Sequence, residues 1–559
     1  MPERIKKAVA AALSELGKED ISFAVERPAD MVHGDYAVNA AMVVAKTLGK
    51  NPREIAEQIA GGLKKDLGDS VAKIEIAGPG FINITLSQSA INESLENANG
   101  NTWGTNTTRK GRRVMIEYAN PNPFKEMHIG HMMGAIVGEA LSRLIESEGA
   151  VLSRDTFGGD VGPHVAKALW SLKRDGVTDI DSVSEIGNAY IHGSRAYEES
   201  PEAKAEIDAL NKEIYAVVAQ VSNAVLSGDR RELFSLWQKG REISMEEFRR
   251  LYSVLGTKFD YEFFDSDATT PGIDLVMDGL LKGIFEKSEG AIIYRGEEKG
   301  VHTMVFITSH GTPTYEAKDI GLAFLKEERW PSDEIVIVTA NEQSGRFKTV
   351  LAALAELAPN LAAKTRHVPH GFMRLTSGKM SSREGNIITA SALISDVTKA
   401  AGEKNSDPLI AEQVAIAAIK YMILRQSPGQ DIIFDPEKSL SLEGDSGPYL
   451  QYALVRAKSV LAQSATTSEK DSKGPEEPYA IERLMLHFPE TVARAARELA
   501  PQLLAQFLTE LAGEWNSFYA QERIIGGEFE AYKLRVAEAF VHTMQNGLML
   551  LGIPAPEKM

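Results

Sequence analysis

Two histidines three residues apart, His128 and His131, close the string Glu117-Tyr-Ala-Asn-Pro-Asn-Pro-Phe-Lys-Glu-Met-His-Ile-Gly-His131. In the first turn of a helix, that spacing lets both imidazoles face one phosphate. A helix start favours anions on its own account, because unpaired N–H groups and the helix dipole point at it. Gly130 between them leaves no side chain where a flat base must approach the backbone. Lys125, three residues before the first histidine, adds a cation. An isolated histidine pair at such a place ordinarily caps the helix or lies on the surface. Here the preceding Asn-Pro-Asn-Pro and the position after a strand turn the balance towards phosphate chemistry. A second string, Gly378-Lys-Met-Ser-Ser-Arg-Glu-Gly-Asn386, would by itself be a solvated turn. Paired with the first, it becomes a second candidate for the same chemistry.

These residues need a rigid frame. Val114-Met-Ile-Glu-Tyr118 reads as a strand leading into the first string. The residues after it are apolar at Ile129, Met132, Met133, Ile136, Val137, Ala140, Leu141, Leu144 and Ile145, the buried stripe of a long helix. Further strands are expected at Thr303–Thr308, before a helix from Pro313, and at Glu334–Thr339, before a helix from about Gly345. Such alternation predicts a parallel sheet with helical crossovers, with the loop at the carboxyl end of its first strand. Residues from about 165 to 300 read as mostly helical and interrupt the pattern. Ahead of the frame, a helix, a second helix around Ala40–Leu48 and strands Val71–Ile76 and Phe81–Leu86 form a small α+β unit. From about Leu440 onward every segment reads helical.

The chain has 559 residues, enough for three or four domains, with 43% hydrophobic and 25% charged residues. It contains no cysteine, which removes disulfides and thiolate metal sites, and no His-Glu-x-x-His spacing suggests another metal site. No apolar run is long enough for a membrane span and the first residues lack a secretory pattern, so a cytoplasmic location is expected. A net charge of −17 argues against indiscriminate nucleic-acid binding but leaves room for a specific RNA partner.

His-Ile-Gly-His resembles the first signature of class I aminoacyl-tRNA synthetases, and the longer string resembles the arginyl branch. The second signature of the class, Lys-Met-Ser-Lys-Ser, is matched by Lys379-Met380-Ser381-Ser382-Arg383. Its second lysine is missing, a departure the arginyl enzymes share; there the upstream lysine takes its role, and Lys125 occupies that position. The resemblance implies ATP contacts from His128, Gly130, His131, Lys379, Met380, Ser381 and Ser382, with Lys125, His128, His131 and Lys379 as the catalytic set. It assigns the amino acid to Glu117, Asn122, Tyr315, Asp319 and Gln343. Tyr315 and Asp319, four apart on one helix, share a face, and a planar cation with five donors is best met by carboxylates set to receive its fork. Asp160 and Gly162 are expected to line the site, with His164 where the family more usually has glutamine.

The family pattern divides the chain into an N-terminal α+β tRNA-contacting domain (1–105), a Rossmann-like catalytic domain (106–440, helical insertion about 165–300) and an all-α anticodon-binding bundle (441–559). Trp515, Tyr519, Arg523 and Arg456 are candidates for stacking or contacting anticodon bases, although core packing is the commoner role of such aromatics. The implied reaction joins L-arginine to tRNA(Arg) with ATP and Mg2+, by a monomer, and requires bound tRNA for activation. Lysine as substrate, another nucleotidyl transferase on the same fold, and a catalytically silent tRNA-binding relative are the rivals.

Overall fold

The computed structural model describes residues 1–98, 100–219, 226, 228–376, 388–464 and 473–559. Lys379, Met380, Ser381 and Ser382 therefore lie outside the described residues.

Five parallel strands form the frame: β1 (Arg113–Glu117), β2 (Val151–Gly158), β3 (Tyr261–Phe264), β4 (Glu334–Ala340) and β5 (Thr365–His370), in the order β5-β4-β1-β2-β3. The central strands are continuous apolar runs, Val114-Met-Ile and Ile335-Val-Ile-Val, because helices cover both faces of a parallel sheet. The order reverses between β1 and β4, so their carboxyl ends open a crevice, the usual ligand position in such sheets. β1 leads to helix α1 (Ile129–Glu146); helices α2 (Tyr315–Arg329) and α3 (Ser344–Leu357) flank β4 in sequence. Met115 and Ile335 of the sheet share a buried core with Ala317 and Ile320 of α2 and Val350 and Ala353 of α3. Each of the larger aliphatic side chains contributes roughly 1.5–3 kcal/mol by burial, the alanines less.

Helix α1 lies so close to β1 that a Cβ on Gly138 would meet the Tyr118 ring at 2.2 Å. The Tyr118 hydroxyl donates to Glu139 (2.8 Å), which also pairs with Arg143 (2.7 Å) and Arg154 (3.0 Å). Burial would raise the Glu139 carboxyl, but the two guanidinium groups outweigh it and hold the pKa below the usual range.

Two expectations change. The strand expected at Thr303–Thr308 forms (Met304–Ile307), but pairs antiparallel with Ala291–Tyr294 in a separate three-stranded sheet. Within the stretch read as mostly helical, Tyr261–Phe264 is the edge strand of the parallel sheet.

Contacts divide the chain into two compact units, one of Thr105–Gln451, Val492–Gln506 and Gly547–Met559, which holds the parallel sheet. The other gathers Met1–Gly104, Tyr452–Thr491 and Phe507–Asn546. Inside it a four-stranded antiparallel sheet packs with helices, and Gln88 donates to the Tyr532 hydroxyl (2.8 Å) while Trp103 donates to Thr543 (3.1 Å).

Candidate active site

The loop from β1 to α1 is strained. Ala119, Asn120 and Phe124 all have positive φ, at 69°, 52° and 66°. Each left-handed non-glycine residue costs roughly 1–2 kcal/mol, so the surroundings must over-determine it. Asn120 is held three ways: its Oδ1 accepts from Phe157 N (2.9 Å), its Nδ2 donates to Glu117 Oε1 (2.7 Å), and its own N–H reaches Thr156 Oγ1 (3.2 Å). Phe124 N donates to Ser244 (3.1 Å). Asn122 Oδ1 accepts from Gly159 N (2.9 Å), where a Cβ would stand 2.6 Å from that oxygen. Asn122 thus joins the carboxyl ends of β1 and β2.

His128 is the N-cap of α1, its Nδ1 accepting from Gly130 N (3.1 Å) and His131 N (3.4 Å). The His131 ring stacks on it, centroids 3.6 Å apart at 20°. The capping role and the phosphate-facing role are compatible for His128, whose Nδ1 serves the helix while its other ring nitrogen is left over; the Nδ1 of His131 is buried without a hydrogen-bond partner. A Cβ on Gly130 would press within 3.0 Å of the His128 ring, so the glycine is needed for this cap as well as for an approaching base. Burial lowers both imidazole pKa values, with Lys125 and His370 adding to the depression in each. At neutral pH the pair is uncharged. Lys125 lies over the Tyr190 ring, 4.6 Å from its centroid.

The described chain resumes at Ile388, against the first motif. Ile129 N donates to Ile388 O (3.1 Å) and Ala390 N to Met127 O (2.8 Å), bridging the first motif to the segment following the second.

Around the carboxyl end of β4, the amino-acid candidates meet a partner that sequence reasoning missed. Arg346, in the first turn of α3, pairs through Nη1 with Asp319 Oδ2, donates from Nε to Gln343 Oε1 (2.8 Å), and has its Cζ 6.0 Å from the Tyr315 ring centroid. Tyr315, Asp319 and Gln343 thus converge on one guanidinium. Burial pushes the Asp319 carboxyl up to about 7 although Arg346 opposes it, and Glu117 adds to the rise.

Glu117 has both its oxygens engaged within the chain. One oxygen pairs with buried Lys326 and the other accepts from Asn120. Lys326 also meets buried Asp155 (2.6 Å), whose carboxyl is driven by burial up to about 6. One ammonium between two acids leaves this cluster a net negative charge behind the pocket. Glu117, Asp319, Lys326 and Phe347 border a space of about 20 Å³, room for one water. No signal in the sequence joined Lys326 to Glu117, 209 positions away.

Asp160 does not present a ready carboxylate: Ser266 donates to both its oxygens and Arg241 pairs with it at 3.1 Å. His164 holds Gly159 O (2.8 Å), and burial takes its pKa down to about 3. Of the RNA candidates, Trp515 is corrected: it is fully buried and stacked on Phe540 at 4.6 Å, so no base can reach its face. Tyr519 and Arg523 are exposed, and Arg456 lies 4.3 Å over the Tyr519 ring. Among the described residues no helix is long and apolar enough to cross a membrane, and no group of three His, Asp or Glu gathers to hold a metal.

Family models match the chain in three consecutive stretches: an arginyl tRNA synthetase N-terminal domain over residues 3–86, the class I (R) tRNA synthetase catalytic domain over 93–436, and a DALR anticodon-binding domain over 450–559. The chain is 30% identical to an arginine–tRNA ligase of Lactobacillus delbrueckii subsp. bulgaricus, across 99% of both chains. It is 30% identical to that of Bdellovibrio bacteriovorus, across 99% of this chain and 98% of the relative. The solved arginyl-tRNA synthetase of Thermus thermophilus superimposes with a TM-score of 0.81 at 25% identity, covering all of both chains. Strand order, the capped histidine helix and this full-length likeness agree: the chain belongs to the arginyl-tRNA synthetase family of class I.

Proposed function

We infer that the chain ligates L-arginine to the 3′-terminal adenosine of tRNA(Arg) through an arginyl-adenylate. The observation that carries this beyond kinship is the convergence of Tyr315, Asp319 and Gln343 on a guanidinium, since these side chains already meet the head group that distinguishes arginine.

In the first step the arginine carboxylate attacks the α-phosphorus of ATP in line, and pyrophosphate leaves. In the second, the 2′-hydroxyl of the terminal adenosine attacks the arginyl carbonyl and AMP leaves. Mg2+ enters as the chelate of ATP and offsets part of the triphosphate charge. His128 and His131, neutral at rest, donate N–H bonds to the phosphates or take up protons when that charge arrives. Lys125, with Lys379 as its partner from the second motif, answers the charge that builds on the equatorial oxygens. A positioned donor of this kind is worth ~2.7–4 kcal/mol of barrier. Asp319 accepts the substrate's fork, Gln343 accepts a further N–H, and Tyr315 covers the pocket. Glu117, tied to Lys326, acts one layer behind by keeping the field negative, and Asn122 takes the α-amino or carboxylate end. Exposed Tyr519 and Arg523, with half-buried Arg456, are the remaining candidates for anticodon contact. A monomer working in the cytoplasm, where charged tRNA is used in translation, completes the proposal.

Charging of a purified tRNA pool with each of the twenty amino acids, with ATP present, tests it. Arginine alone should be transferred. Lysine transfer would reassign the pocket, and no transfer at all would make the chain a silent tRNA-binding relative.

A further inference from the structure

We propose that Arg346 is an internal stand-in for the substrate: its guanidinium fills the head-group place between Asp319, Gln343 and Tyr315, and L-arginine binds by displacing it. The inference rests on the assignment of those three residues to the substrate side chain.

Three observations carry it. Arg346 uses the bonds a substrate guanidinium would use, Nη1 to Asp319 and Nε to Gln343 at 2.8 Å, and its Cζ lies over the same ring, 6.0 Å from the Tyr315 centroid. The space that Asp319 shares with Glu117, Lys326 and Phe347, lined by none of Arg346, Gln343 and Tyr315, is about 20 Å³, room for one water, so Asp319 offers no second place for a guanidinium on that side. Arg346 is also the third residue of α3, Ser344–Leu357, where the helix dipole opposes a cation. Its grip on Asp319 is therefore what holds it inward. Two guanidinium groups on one buried carboxylate would repel each other, so when the substrate arrives Arg346 must swing away. Its side chain starts 19% exposed, so it has a route to water.

The device satisfies a buried acid that would otherwise lack a counter-charge in the resting enzyme. It also weakens every competing ligand by the same factor, the inverse of the fraction of molecules with Arg346 out. Arg346 thus sets the concentration range over which arginine binds, and leaves its preference over lysine to Asp319 and Gln343.

Titration calorimetry of L-arginine into the full chain at pH 8, where Asp319 is ionised, compares the parent protein with R346Q, R346A and D319N, each checked by thermal melting. Both Arg346 variants should bind arginine about threefold to tenfold more tightly, while D319N binds at least about tenfold more weakly. Weaker or unaltered binding in the Arg346 variants, beside a weakened D319N, overturns displacement and makes Arg346 a support or a bystander. Parent-like binding by D319N overturns the pocket assignment instead. If R346A melts far below the parent, R346Q, which keeps a polar arm of similar kind, decides the matter.

Discussion

Lowering the pH from 8 to 6 should weaken arginine binding about tenfold, because a proton and the substrate compete for Asp319. Burial holds this carboxyl at a pKa of about 7, with Glu117, Glu316 and Asp265 adding negative charge around it and only Arg346 opposing. At pH 8 roughly nine-tenths of the molecules carry the ionised acid, and at pH 6 roughly one-tenth. A guanidinium binds only the ionised form, so the apparent dissociation constant rises by that ratio, about 1.4 kcal/mol. The sign is fixed by chemistry: arginine stays fully charged across the range, and protonation removes the acceptor. Calorimetry in two buffers of different ionisation enthalpy provides the assay, since proton release on binding should be largest below pH 7 and vanish near pH 9. In D319N the affinity should be low and lose this dependence. A flat profile in the parent protein between pH 6 and 8, or a D319N variant that keeps the same slope, would refute the reasoning.

Other consequences are equally direct. His131→Ala or Lys125→Ala should slow ATP–pyrophosphate exchange, assayed with tRNA present, by about two powers of ten or more; near-normal exchange in both would reject their roles. Asn120→Ala removes the side chain that ties the strained loop to Phe157 and Glu117, and should cost about 1–3 kcal/mol in urea unfolding along with at least about tenfold in kcat/KM. Asn120→Gly should recover part of the stability, because glycine accepts the φ of 52°, but not the activity. Gly138→Ala forces a Cβ onto the Tyr118 ring and should destabilise by roughly 1–3 kcal/mol; an unchanged unfolding midpoint would contradict the close approach of α1 to β1.

What could be read from residue order was whatever local patterning controls. The run Val114-Met-Ile announces a covered strand, and the 3-and-4 spacing from Ile129 announces a helix lying on it. The partner of a strand is a different matter. Met304–Ile307 was legible as extended chain, but its antiparallel pairing depends on Ala291–Tyr294, and nothing local to either segment records the choice. Tyr261–Phe264 was missed because four residues at a sheet edge leave too short a pattern to stand out among helices. The site behaves likewise. Tyr315 and Asp319 could be paired because helical spacing places them on one face, whereas Arg346 reaches Asp319 across 27 positions and Lys326 reaches Glu117 across 209. Which acid faces a ligand and which is spent on an internal ammonium is decided by those distant partners. Trp515 carries a similar lesson: its neighbours in sequence gave no sign that Phe540 would cover its face.

On the roles proposed above, with protonation of the stacked, resting-neutral imidazoles of His128 and His131 on phosphate binding, the nucleotide end of the crevice is a borrower of protons, while Asp319 at the other end is a lender. Acidification then strengthens the hold on one substrate as it loosens the hold on the other. With both bound, the opposing exchanges partly cancel, and the loaded enzyme should be less sensitive to ambient acidity than either half-loaded form.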